Sequence, residues 1–120
     1  MIRSLTAYAI LAAISLAALP GSAHAGDAAK GKTTFLTLCS SCHGNEGLGD
    51  GPTGMALPPE MKPRNLQTGE FKFATDDAKL KELLHKGGAA VGLNPLMTGA
   101  PGATEEDIEN LVAFVRSLKK

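Results

Sequence analysis

Residues 39–44 are Cys-Ser-Ser-Cys-His-Gly, and this hexapeptide contains both cysteines of the 120-residue chain and one of its three histidines. Cys-x-x-Cys-His is the order in which a polypeptide attaches haem covalently. Side chains three and four positions apart share one face of a helical turn, so both thiols can reach the two vinyl groups on one edge of a porphyrin. The imidazole of His43 then lies beneath the ring. The hexapeptide therefore predicts one covalent haem c, held by Cys39 and Cys42, with His43 as an iron ligand.

Three other interpretations of these cysteines exist. A structural zinc site normally takes four Cys or His ligands, and His85 is the only other histidine outside the N-terminal segment. A thioredoxin-like redox pair belongs to a βαβ pattern, whereas a glycine-rich segment follows Cys42. A disulfide suits an exported protein but gives no role to His43, and it remains the main alternative to haem.

The N-terminal segment has the features of an export signal. A basic start at Arg3 precedes an apolar stretch over 5–19, which ends before the small-x-small triplet Ala23-His24-Ala25. We predict a signal peptide over 1–25, cleaved after Ala25, and one mature domain over 26–120. In a bacterium this export leads to the periplasm. The apolar stretch is shorter than the about 20 residues of a membrane span, so a retained membrane anchor is the second interpretation.

Composition excludes some partners and favours a bound cofactor. Without Arg3, 11 basic and 12 acidic side chains remain, and this balance gives no support for binding nucleic acid or an anionic membrane surface. A domain of this size buries a marginal fraction of its surface, and small domains commonly add a metal or cofactor. A haem would supply a large apolar plate for the helices.

The first and last helices are predicted to cross. The first covers about 27–38 with Asp27 as its N-cap, and the last covers about 105–119 with Thr104 as its N-cap. Gly31 lies inside the first helix, where glycine costs about 0.5–1 kcal/mol relative to alanine. We therefore expect the last helix to pass close to Gly31 and to pack Leu111 and Phe114 across it. The apolar face of the last helix consists of Ile108, Leu111, Val112, Val115 and Leu118, with Phe114 at its margin.

The rest of the chain predicts a middle helix and a long loop. The helix covers about 76–86, with Thr75 as its cap and a stop at Gly87. Residues 44–73 are rich in glycine and proline and predict a loop that lies on the cofactor. No strand pattern of useful length occurs. The predicted fold class is all-α, with three main helices and long Gly/Pro-rich loops around one haem.

An iron ligand is also needed opposite His43. The candidates are Met97, Met61, Met55 and His85. Met97 is placed best, because it lies in an irregular segment over 93–101 that can cross the open face of the haem, and methionine is a common axial ligand. The other three side chains, or an open sixth position, remain alternatives.

The chain resembles the class I c-type cytochromes, in particular the small monohaem cytochromes c of bacteria. The resemblance covers essentially all of the mature chain, although only the haem motif is highly specific. It is carried by Gly31 and Phe35, the haem motif Cys39–His43, the Gly-Leu-Gly-Asp-Gly-Pro run at 47–52, the Pro-Arg-Asn-Leu run at 63–66, Met97, and the Leu-Val-Ala-Phe-Val-Arg-Ser-Leu run at 111–118. It implies the cytochrome c fold with crossed terminal helices, and single-electron transfer as the activity.

The resemblance also implies roles for individual residues. The carbonyl of Pro63 would accept a hydrogen bond from His43 Nδ1 and so orient the imidazole. Arg64 would approach a haem propionate, Leu66 would pack on the ring, and Met97 would be the sixth ligand.

The expected function is that of a periplasmic single-electron carrier and not an enzyme, since no catalytic triad or carboxylate pair is present. It would act as a monomer, without a membrane anchor after cleavage, between redox proteins such as a dehydrogenase and a terminal oxidase or reductase. Two alternatives remain open. One is a haem enzyme or gas sensor with an open or labile sixth site, and the other is a dedicated cytochrome subunit of a dehydrogenase or oxidase complex.

Overall fold

The computed structural model describes residues 26–120, and the predicted signal peptide lies outside them. Helices and single helical turns are the only regular elements in this part of the chain, so the prediction of an all-α fold is confirmed. The α-helices are α1 (Ala28–Leu38), α2 (Ser40–His43), α3 (Pro52–Met55), α4 (Asp77–Lys86) and α5 (Glu105–Ser117). Three 3₁₀ turns cover Pro59–Met61, Leu66–Thr68 and Ala89–Val91.

Side-chain caps begin the three main helices. Asp27 and Thr104 cap α1 and α5 as predicted. The cap predicted for α4 is wrong by one residue. Asp76, not Thr75, is the N-cap: it has extended backbone angles, and its carboxylate accepts a hydrogen bond from the Lys79 backbone N–H at 2.8 Å. The carboxylate therefore satisfies one of the free N–H groups in the first turn of α4.

Helices α1 and α5 cross in close contact at Gly31. A Cβ atom on Gly31 would overlap the backbone carbonyl oxygen of Asn110 and would lie 2.9 Å from Phe114 Cβ. The expected contact with Phe114 is confirmed, while the backbone at Asn110, and not Leu111, makes the closest approach. The Asn110 side chain adds a second link, because its Oδ1 accepts a hydrogen bond from the Asp27 N–H at 2.7 Å.

The core fills the space between α1, α4 and α5 and extends to the first cysteine. Phe35, Ile108 and Leu111 are the largest fully buried side chains. Phe114, predicted at the margin of the apolar face, is buried, and its ring centroid lies 5.0 Å from that of Phe35 in a tilted arrangement. Cys39 belongs to the same buried cluster, so the core reaches the hexapeptide directly.

The prediction of an irregular loop over 44–73 is only partly right. This segment contains α3 and two of the 3₁₀ turns. Pro52 and Pro59 each occupy the start of one of these short elements. Proline is favourable there because its fixed φ suits the first helical turn and its missing N–H leaves no donor unsatisfied. Two of the four prolines that indicated a loop therefore begin short helical elements.

We predict that Gly31→Ala lowers the free energy of unfolding by about 1–3 kcal/mol, because the added methyl group forces α5 away from α1. Denaturant unfolding followed by circular dichroism measures the change. Thr33→Ala, at an exposed position of the same helix, is the control and should stay within about 0.5 kcal/mol of the unaltered protein. Equal or greater stability of Gly31→Ala would contradict the close crossing.

Candidate haem site

The hexapeptide forms a helical turn that continues directly from α1. Cys39 is the C-cap of α1 and also the N-cap of α2. Its backbone carbonyl accepts hydrogen bonds from the N–H of His43 at 2.9 Å and from that of Cys42 at 3.3 Å. These bonds place Cys39 and Cys42 on one face of a single turn. The spacing that the haem interpretation requires is therefore present.

The two thiols are not joined in a disulfide, so this structure gives no support to the disulfide interpretation. Cys39 is buried, whereas Cys42 is partly exposed. Burial, with a smaller contribution from neighbouring Cys42, raises the pKa of Cys39 to about 11. Because the thiolate is the reactive form of cysteine, Cys39 in the folded chain is poorly reactive at neutral pH.

His43 has the environment of a neutral ligand. Burial lowers the pKa of its imidazole, and a backbone hydrogen-bonding contact with Arg64 acts in the opposite direction. A contact that raises a histidine pKa must accept a hydrogen bond, which identifies the Arg64 carbonyl. The net effect favours the uncharged ring, whose free lone pair can bind a metal.

The His43 ring also carries an unusual buried atom. Its Nδ1 is buried and lacks a hydrogen-bond partner of regular geometry in this part of the chain, so the Arg64 contact is not a fully formed bond. Unpaired buried polar atoms are rare in native proteins, and a nearby backbone carbonyl is the partner that Nδ1 would take, which leaves Nε2 as the nitrogen that can bind a metal. Two free thiols on one helical turn, beside an imidazole that favours its neutral form, fit a covalently attached haem.

A glycine-rich loop packs its backbone directly on the hexapeptide. The N–H of Gly49 donates to the His43 carbonyl at 2.8 Å, and the N–H of Gly51 donates to the Cys42 carbonyl at 3.2 Å. A Cβ on Gly51 would overlap the carbonyl oxygens of Ser40 and Ser41. Only glycine allows such an approach, so the loop fixes the end of α2 without using side chains.

The run over 63–66 lies beside this loop. The Pro63 carbonyl faces Gly49, since a Cβ there would lie 2.6 Å from it. The Arg64 carbonyl oxygen would lie 3.4 Å from the same Cβ, so both carbonyls border the loop, and the predicted hydrogen bond from His43 to the Pro63 carbonyl stays a prediction. The Arg64 guanidinium donates to the Glu70 carbonyl at 2.6 Å. Leu66 is buried, and its N–H donates to the Gly47 carbonyl at 2.7 Å. The predicted contacts of Arg64 with a propionate and of Leu66 with the ring stay predictions.

The candidates for the sixth ligand occupy different environments. Met97 is partly buried and packs against the core, whereas Met55 and Met61 are 53% and 37% exposed. His85 pairs with Glu105 at 3.1 Å, and this contact turns its imidazole toward the start of α5. Met97 is therefore the candidate that packs on the core, and its role as a ligand stays a prediction.

Sequence reasoning missed two asparagines. Asn110 is the buried polar residue that joins α5 to the start of α1. Asn94 joins two loops through its side-chain amide, which donates to the Met61 carbonyl at 3.0 Å. The sequence contained a signal for each of them. Asn110 is a polar residue inside the apolar stretch of α5, and Asn94 directly precedes Pro95, a pair that favours a turn.

The comparison with known proteins agrees with this site. The family model of cytochrome c matches residues 28–119. The chain belongs to the cytochrome c family. Members of this family carry covalent haem c and transfer electrons, so the predictions of cofactor, fold and family are confirmed. None of the helices within 26–120 has the length and apolar character needed to cross a membrane.

Two similar proteins show how much of the chain is shared. The chain is 35% identical over 98 residues to cytochrome c-554(547) of Halothiobacillus neapolitanus. This alignment covers 79% of the chain and all of that protein. A solved chain from the reducing HAO-like protein complex of Kuenenia stuttgartiensis is 30% identical and superposes with a TM-score of 0.64. The match covers 75% of this cytochrome but only 41% of that chain.

We predict that Gly51→Ala lowers the yield of haem-loaded protein, because the methyl group pushes the glycine-rich loop off α2. The remaining holoprotein should lose about 1–3 kcal/mol of unfolding free energy. Haem absorbance per mass of purified protein and thermal unfolding measure the two effects. Thr53→Ala, at an exposed neighbouring position, should match the unaltered protein. A fully loaded, equally stable Gly51→Ala protein would show that the loop does not support the site.

Proposed function

We propose that this cytochrome is an exported single-electron carrier whose iron is held by His43 and Met97 and whose haem is bound through Cys39 and Cys42. The observation that carries the proposal is the helical turn over 39–43, which combines two free thiols with a partly buried imidazole whose pKa is lowered. The bound haem iron would supply the chemistry, exchanging one electron between its ferrous and ferric states.

His43 would hold the iron through Nε2. Its other nitrogen, Nδ1, would carry the proton and donate it to a backbone carbonyl, that of Pro63 or Arg64, which would set the tautomer and the orientation of the ring. The lowered pKa of His43 favours the neutral form that metal binding requires. The backbone contacts of Gly49 and Gly51 hold the turn that presents this ring.

Met97 would hold the iron through its thioether sulfur. A sulfur ligand favours the ferrous state and gives a higher reduction potential than a second imidazole would. Its backbone is fixed on two sides, because its N–H donates to the Asn94 carbonyl at 3.0 Å and its carbonyl accepts from the Gly88 N–H at 2.6 Å. Leu66 and the core around Phe35 exclude water, and Arg64 offers a charge for a propionate.

Export and partners complete the proposal. Residues 1–25 act as a signal peptide that is cleaved after Ala25, and the mature domain works as a monomer in the periplasm. Its partners are redox proteins, such as a dehydrogenase on one side and an oxidase or reductase on the other. A dedicated subunit of a redox complex is the second candidate function, favoured by the similarity to one chain of the HAO-like assembly.

We predict that Met97→Ala abolishes the weak sulfur-to-iron charge-transfer band of the ferric protein and lowers the reduction potential. Axial ligands move haem potentials over a range of about 0.8 V, so the shift should be plain in a redox titration. Met55→Ala and Met61→Ala are matched controls that should keep the band. Loss of the band in Met61→Ala instead would transfer the ligand role to that residue.

Carbon monoxide separates the carrier from a haem enzyme or gas sensor. If His43 and Met97 both hold the ferrous iron, the unaltered protein should bind carbon monoxide weakly, whereas Met97→Ala should bind it readily. Tight binding by the unaltered protein would favour an open sixth site and contradict the carrier proposal.

We predict that the chain, produced in a host that assembles c-type cytochromes, begins at Gly26 and carries the mass of one haem. Intact mass spectrometry of the purified protein measures both properties at once. A double variant, Cys39→Ala with Cys42→Ala, should retain the same N-terminus and lose the added mass. A colourless unaltered protein, or one that still contains residues 1–25, would refute haem attachment or signal cleavage, respectively.

A further inference from the structure

The side chain of Asn94 makes contacts at both ends of its amide. Its Oδ1 accepts a hydrogen bond from the Leu96 N–H at 2.9 Å, within its own loop. Its Nδ2 donates to the Met61 carbonyl at 3.0 Å, across 33 positions of the chain. Each contact restrains a different feature, because the first shapes the turn that leads to Met97 and the second attaches that turn to the 3₁₀ segment Pro59–Met61.

The local contact defines a turn that ends on the proposed ligand. The Asn94 carbonyl accepts from the Met97 N–H at 3.0 Å, which closes a four-residue turn with Pro95 in its second position. Asparagine at the first position and proline at the second are the preferred residues of such a turn, and the asparagine side chain commonly bonds to the backbone two residues on. The backbone of Met97 therefore takes its position from Asn94.

The long-range contact closes the other side of the loop. The Met97 carbonyl is held by the Gly88 N–H, on the side of α4. In the part of the chain that the structure describes, the bond from Asn94 to the Met61 carbonyl is the single hydrogen bond between residues 59–62 and residues 93–97. Without this bond, the Met97 turn would be held to the rest of the chain only on the side that faces α4, through Gly88.

We propose that Asn94 is a positioning residue for the sixth ligand, acting as a clasp that ties the Met97 turn to the Pro59–Met61 segment and limits how often Met97 leaves the iron. The inference rests on the proposed role of Met97. It goes beyond that role, because it states that Asn94, which does not itself bind the iron, helps to keep Met97 bound.

A competing ligand measures how often the sixth position opens. Imidazole binds ferric iron only when Met97 has left, so its apparent affinity rises in proportion to the open fraction. Asn94→Asp keeps an oxygen that can accept from Leu96 and removes the donor to Met61. We expect its half-saturating imidazole concentration to fall about fivefold, which corresponds to about 1 kcal/mol for one hydrogen bond.

Two further variants control for charge and for the local turn. Asn65→Asp makes the same change of charge at a residue whose Oδ1 accepts from the Gln67 N–H at 2.9 Å, and it should bind imidazole like the unaltered protein. Asn94→Ser is uncharged and too short to reach Met61, and it should also show tighter imidazole binding. Its result decides the matter if Asn94→Asp does not fold.

The outcomes distinguish the clasp from the ligand. If Met97→Ala removes the charge-transfer band while Asn94→Asp and Asn94→Ser bind imidazole like the unaltered holoprotein, the clasp is refuted and the ligand stands. If Met97→Ala keeps the band, the proposed ligand is refuted and the clasp with it. A role limited to stability would lower the melting temperature without changing imidazole affinity, and that result would also overturn the proposal.

Discussion

The close contact of α1 with α5 at Gly31 determines where the haem motif lies. The absence of a side chain at Gly31 allows the α5 backbone at Asn110 to touch α1, and one helical turn later Phe35 packs against Phe114. Cys39 follows one further turn along α1 and is buried in the same core. Because Cys39 alone separates α1 from α2, any change in the crossing would move the cysteines and His43 with it.

The environment of the motif is made largely by backbone groups. Carbonyl groups of α2 receive hydrogen bonds from the N–H groups of Gly49 and Gly51, and a backbone contact with Arg64 opposes the lowering of the His43 pKa by burial. The two glycine contacts are possible because glycine has no side chain, and they do not depend on the chemistry of any particular side chain. The turn around Asn94 differs, because there a side chain joins two loops.

The pattern of residues predicts the helices and the cofactor well because both depend on local rules. The caps Asp27 and Thr104 and the apolar spacing of α5 are local signals, and the Cys-x-x-Cys-His motif carries its own geometry. The errors arise where neighbours compete or where partners are distant. Asp76 and Thr75 are both good caps, and the sequence does not show which one reaches the Lys79 N–H. The adjacent carbonyls of Pro63 and Arg64 are equivalent in the sequence, and which of them accepts a hydrogen bond from His43 stays a prediction.

The hydrogen bond between Asp27 and Asn110 joins residues 83 positions apart, so the core around α1 is complete only after α5 has packed on it. In a chain whose α5 has not yet packed, Cys39 lacks the surroundings that bury it and raise its pKa. Its sulfur is then more accessible and more readily ionised than in the folded domain. Haem attachment through Cys39 is therefore expected to precede the final packing of α5 on α1.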